Sequence, residues 1–462
     1  MHLFRAAAVV LCLSITAPVG ASAAPDTSPD TAQVIHDNWT LMFGTRDDKE
    51  KAAARLAARG KTDVVAVAVL AMRYAEATRV IYADLIEKLT GHKAANWHEA
   101  ANWLEAHPEI KPHATYRVIK LFMFARMDPK FLKFLGGSRS DPDKMKIRLE
   151  EVTWGGVSVD GIPSLDNPKL INAGAADYMV GTDEVFGVAI NGDVRAYPLR
   201  ILGWHEMFNE VIGGVPVALA YCTLCGSGIL YETKVSQFEK PLVFGSSGFL
   251  FRSNKLMFDR TTLSLWNQFT GQPVAGPLVD SGIALKVRPV TITTWAKWTA
   301  RHPKTKVLSL DTGHYRDYES GAVYNDYFAS PDLMFPALVK DEKTVKRKDY
   351  IFGMRGAGGA RAWPLKAFAG GKVINDAVGL KNVVLIGDEA SRTVRAYYRQ
   401  DQEFQPGADA STLNGPGGVW KITEDFLAGP NSATLRRAPG AVSYWFPWEN
   451  YYGNRTTLYG RD

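Results

Sequence analysis

Residues 183–200 read Asp183-Glu-Val-Phe-Gly187-Val-Ala-Ile-Asn191-Gly-Asp-Val-Arg195-Ala-Tyr-Pro-Leu-Arg200. Residues 349–366 read Asp349-Tyr-Ile-Phe-Gly353-Met-Arg-Gly-Ala-Gly358-Gly-Ala-Arg361-Ala-Trp-Pro-Leu-Lys366. The step from Asp183 to Asp349 equals the step from Arg195 to Arg361, and at that step Phe186, Gly187, Gly192, Ala196, Pro198 and Leu199 also meet their own kind. Farther along, Asn209 matches Asn375, Gly213 matches Gly379 and Val217 matches Val383. Trp295-x-x-Trp298 has a counterpart in Trp445-x-x-Trp448. The period is too long for a solenoid or a propeller blade, so it predicts two tandem copies of one domain.

Within a copy the pattern predicts a strand over Val185–Ile190, a turn at Asn191-Gly192 and a strand over Val194–Tyr197. A short helix over Leu199–Val211, a Gly213-Gly214 turn and a buried strand over Val215–Tyr221 follow. Upstream, Thr31 to Leu135 carries helical spacing punctuated by Gly60 and Gly91, which predicts four to six helices. The expected fold is therefore α+β: a helical domain over 31–140, a β-rich copy over 150–312, a crossover over 313–345 and a second β-rich copy over 346–462. Gly136 to Pro142 reads as the loop between the helical and β-rich parts.

The chain has 462 residues, 46% of them hydrophobic and 22% charged, which excludes a mainly disordered chain. A net charge of +6 without a Lys/Arg block argues against nucleic acid as a partner. Arg5, the apolar run Ala6–Ile15 and Ala21-Ser22-Ala23 read as a signal peptide over 1–24, cleaved near Ala23. The mature chain is then periplasmic or secreted and has no transmembrane segment. Cys12 leaves with the leader, so two of the three cysteines remain, in an oxidising compartment.

Those two stand in Tyr221-Cys222-Thr223-Leu224-Cys225-Gly226-Ser227, a strand feeding a glycine-bounded turn. Such a turn suits half of a metal-thiolate knuckle, a redox-active dithiol or a static disulfide. The second copy has Asp388 for Cys222 and Ser391 for Cys225. It also has Gly371 for His205 and Lys372 for Glu206. The scaffold persists without these groups, which points to one special site in the first copy.

The leading expectation is a copper or zinc ion held by Cys222, Cys225 and His205, with Glu206 as a ligand or general base for catalysis. The alternatives are a thiol–disulfide protein using Cys222 and Cys225, and a module binding a small molecule or envelope component beside a static disulfide. The stretch Phe249–Arg260 reads as one alternating strand. Arg252, Asn254 and Asp259 would line a substrate pocket there, and Trp266 would stack on the ligand.

With these residues assembled, the chain resembles a bacterial exported family built on a domain of unknown function. The resemblance rests on Asp160-Gly-Ile-Pro163, Ala196-Tyr-Pro-Leu-Arg200, Trp204-His-Glu206, Tyr221-Cys-x-Leu-Cys-Gly-Ser227, Phe244-Gly-x-Ser-Gly248, Asp259-Arg260 and Leu265-Trp266. The crossover pieces Thr312-Gly313, Arg316-Asp-Tyr318 and Phe335-Pro336 extend it, so that it covers most of the chain from about residue 115. The family usually has Pro at Thr223 and often Asn at Gly203; neither change removes an expected ligand. The resemblance implies one shared site and carries no reaction.

Overall fold

The computed structural model describes residues 29–135 and 144–461. The leader expected over 1–24 and the loop over 136–142 lie outside the described residues. The fold is mixed α+β: a helical region over residues 31–135, then a β-rich region with several sheets.

Local chemistry sets the helix ends. In Arg46–Arg59 the Thr45 hydroxyl accepts from the Asp48 amide, and Asp47 and Asp48 occupy the positive N-terminal turn. Gly60 and Gly91 end their helices in the left-handed conformation, as their sequence positions predict. Val65–Tyr74 is apolar on all sides and is the buried central helix, with every residue from Val65 to Met72 shielded. Seven α-helices occur among the described residues of this region, the last being the short Leu132–Leu135.

Aromatic packing joins the helices to the β region. The Phe131 ring stacks on Phe249 at 4.4 Å between centroids, and Phe134 meets Phe258 at 4.9 Å. Phe249 and Phe258 belong to a hairpin, Phe244–Phe251 with Asn254–Asp259. The single strand expected over 249–260 is thus two strands. Arg252 and Ser253 turn the chain with φ of 51° and 61°, the geometry of a two-residue hairpin turn.

The two repeated stretches pair alike. Glu184–Ile190 lies antiparallel to Asp193–Pro198 with Phe186 opposite Tyr197; Tyr350–Gly356 lies antiparallel to Gly359–Pro364 with Phe352 opposite Trp363. On the outer edge Thr291 faces Gly187 and Ala441 faces Gly353. A parallel strand follows in each, Val307 beside Ala196 and Leu458 beside Ala362. The glycines are required by close approach: a Cβ on Gly187 would stand 2.3 Å from the Trp298 ring, and one on Gly353 would stand 2.3 Å from Trp448.

The helix expected over Leu199–Val211 is shorter. It covers Leu199–His205 and stops because Glu206 takes a left-handed conformation. Met207–Ile212 is instead a strand paired with Val215–Cys222. Its second-unit counterpart, Lys372–Val378 with Lys381–Asp388, continues into an eight-stranded sheet.

Contacts between the two β units are reciprocal. Gly226 packs so tightly on the Tyr350 ring that a Cβ would sit 2.8 Å away. The corresponding pair, Arg392 and Glu184, forms an ion pair. Lys297, on the helix Trp295–Arg301 of the first unit, reaches Asp388 and Ser391 of the second.

Candidate functional site: a buried dithiol between the β units

The strand Val215–Cys222 is buried from Val217 onward and runs into a tight 3₁₀ turn, Thr223–Cys225. Gly226 then takes φ 58°, and Ser227 returns opposite Cys222. This turn sets both sulfurs side by side. Cys222 and Cys225 are free thiols at 2% and 0% exposure. Burial, then the neighbouring Cys222, push the Cys225 thiol well above its ordinary range.

Polar side chains surround Cys225. The Asn254 amide donates to its sulfur at 3.2 Å, and the thiol faces the Ser253 carbonyl at 3.6 Å. Asn254 is fixed in turn: it donates to Gln268 Oε1 at 2.8 Å and accepts from the Tyr451 hydroxyl at 3.2 Å. Gln268 donates to the carbonyls of Ala220 and Ser227, which ties this network to the strands flanking the turn. Tyr327, from the crossover, closes the other side by donating to the Leu224 carbonyl at 2.7 Å.

Glu206 reaches the turn through Thr223, whose hydroxyl donates to Oε1 at 2.8 Å. Its other oxygen accepts from Lys255 Nζ at 2.8 Å, and both side chains are buried. Lys255 also donates to Ser246. The result is an ion pair with partners on every side, set one residue from Cys222.

His205 is placed elsewhere. Its Nδ1 lies 2.9 Å from the Pro163 carbonyl and its Nε2 lies 2.6 Å from the Tyr318 hydroxyl. A carbonyl only accepts, so Nδ1 carries the proton and Nε2 accepts from Tyr318. Burial pulls the imidazole down to about 4, so it is neutral at pH 7. Both ring nitrogens are thereby occupied, Nδ1 at Pro163 and Nε2 at Tyr318 of the crossover. The expected joining of His205 to the two sulfurs is not what the fold builds. Among the described residues no group of three or more His, Cys, Asp or Glu stands where it would hold a metal ion.

The residues expected to line a substrate pocket separate. Asn254 touches Cys225. Asp259 accepts from the Thr261 and Thr262 amides, the Thr262 hydroxyl and the Trp266 indole, capping its own turn. Trp266 is wholly buried in the core, so no face is open for stacking. Arg252 pairs with Glu151 and with Glu105 of the helical region and donates to Asn450 Oδ1 at 3.0 Å, bridging that region and the C-terminal helix Trp445–Tyr452. Sequence reasoning missed Lys255, Gln268 and Tyr451. Only Lys255 left a signal, as a lysine inside the buried strand Asn254–Asp259.

Among the described residues no helix is long and apolar enough to cross a membrane. No curated protein matches the chain, and no solved structure does. One family model does match, over residues 159–455, which takes in the dithiol turn, the Glu206–Lys255 pair and both repeated stretches, and the chain belongs to that family, the proteins of unknown function designated DUF3179.

Proposed function

We propose that this is an exported thiol–disulfide protein in which Cys222 and Cys225 cycle between dithiol and disulfide. The observation that carries the reading is the turn itself: two free, adjacent thiols, with an amide donor on one sulfur and a buried ion pair bound to the turn through Thr223. In the oxidation step the two thiols lose two electrons and two protons, and an S–S bond forms. A partner disulfide takes up those electrons and protons and becomes two thiols. Asn254 supports thiolate character at Cys225 by donating to it, against the pull of burial. The export reading rests on the leader-like first 24 residues.

We also read the two β units as tandem copies related by an approximate two-fold axis. The shared strand registers, the paired Gly187–Trp298 and Gly353–Trp448 contacts and the reciprocal Gly226–Tyr350 and Arg392–Glu184 contacts support this. On this reading only the first copy carries the thiols.

The test is a redox titration of the mature chain, with alkylation and mass spectrometry reading each cysteine. A two-electron midpoint between about −300 and −120 mV is expected. A pair that stays in one state across that range overturns the proposal. A second reading keeps the metal: with His205 engaged elsewhere, two sulfurs alone suit a soft monovalent ion such as copper(I). Copper(I) bound at one per chain, and lost when either cysteine becomes serine, would favour it.

A further inference from the structure

The positions that hold His205, Glu206, Cys222 and Cys225 in the first β unit hold Gly371, Lys372, Asp388 and Ser391 in the second. All four of these line one open cleft of about 550 Å3. What is packed shut in one unit is therefore open in the other. The volume falls within the roughly 300–1,000 Å3 of small-molecule sites.

The floor is apolar. Val373 lies opposite Ile386 across neighbouring strands, and both are only partly buried. The helix Trp295–Arg301 forms one wall, and the hairpin of Gln405–Pro406 with Thr412–Gly415 forms the other. The rim is cationic. Lys297, Arg301, Lys372 and Arg395 face it against Asp388 and Asp409. Both carboxylates are already engaged: Asp388 accepts from Lys297 and Ser391, and Asp409 accepts from Ser411. Arg395 and Arg301 both pair with the buried Glu424. Lys372 is exposed at the mouth, where the first unit has the acid Glu206.

We propose that this cleft binds a small amphipathic anion of the aliphatic carboxylate class. Its chain lies on Val373 and Ile386, and its head meets the exposed Lys372. Ser391 is a positioning residue here: its amide and hydroxyl both donate to Asp388, which caps the 3₁₀ turn Glu389–Ser391 at the cleft wall.

This site stands apart from the dithiol. Calorimetric titration of the mature chain with decanoate, and with decanol as its neutral match, tests it. Decanoate should bind at one per chain, at least tenfold tighter than decanol. Lys372→Glu, at an exposed position, should weaken decanoate at least tenfold, and Ile386→Trp, which fills the floor, should abolish binding. The Cys222→Ser/Cys225→Ser chain should bind decanoate like the parent, so a failed redox reading leaves this proposal standing. Absence of saturable decanoate binding, equal affinity for decanol, or a Lys372→Glu chain that binds unchanged would each overturn it.

Discussion

Lys255 donates to the Glu206 carboxylate at 2.8 Å while both side chains are shielded from water. Their mutual neutralisation is what makes either charge tolerable at that depth. Removing one partner leaves the other charge buried and unpaired. Lys255→Met should lower the unfolding free energy by about 3–5 kcal/mol. Adding Glu206→Leu should restore much of that loss, because an apolar pair of similar size carries no orphan charge. Urea unfolding of the parent and the two variants measures both effects; equal destabilisation by the single and double changes would refute the coupling.

Asn254 is the side chain whose N–H meets Cys225 sulfur. Asn254→Ala removes that donor, so the Cys225 thiol should titrate still higher and react more slowly with iodoacetamide near neutral pH. The clean measurement uses the Cys222→Ser background, where only Cys225 reports, with alkylation rate followed against pH. An unchanged profile would show that the amide does not tune the sulfur.

Lys120 gives a pH dependence of known sign. Its ammonium is buried beneath the helices, donating to the Tyr116 hydroxyl at 2.9 Å and to the Leu149 carbonyl. Burial pulls its pKa down to about 7 from an ordinary 10.5. Between those values the unfolded chain keeps a proton that the folded chain has released. Stability should therefore rise with pH across about 7 to 10.5, and the strain of holding a buried charge is greatest below 7. In Lys120→Met this rise should vanish. Thermal unfolding of both chains over that range provides the comparison.

Gly187 and Gly353 make a matched pair. Each sits against the ring of a tryptophan, Trp298 or Trp448, with no room for a methyl group. Gly187→Ala and Gly353→Ala should each destabilise by about 2–3 kcal/mol through overpacking. Similar losses from the two are expected if the units share one packing plan; denaturant midpoints of the two variants provide the check.

Gly187 and Gly353 also show why much of the fold was legible. Glycines forced by a tryptophan, the Asn191-Gly192 turn and the Gly60 and Gly91 helix ends are set by contacts that admit few residue types. Arg252 and Ser253 show the opposite case. They turn a hairpin in left-handed conformations with neither Gly nor Asn to announce it, so Phe249–Arg260 looked like one strand. The site was half legible for a similar reason. The cysteine turn is local and visible. The partners of His205 and Glu206 come from far along the chain: Tyr318 from the crossover, Lys255 from the second strand of that unannounced hairpin. Spacing placed His205 near the sulfurs, but it could not tell which way the ring would face.

The crossover helix Asn325–Ala329 has one further consequence. Tyr327 holds the carbonyl of Leu224, between the two cysteines, and both sulfurs lie beneath the surface. An oxidant in solution meets them only when this short segment lets go. The rate of any reaction at the pair is then scaled by how often the cover opens, on top of the reactivity of the thiols themselves. Chemistry at the thiols becomes a clock for the breathing of the chain that hides them.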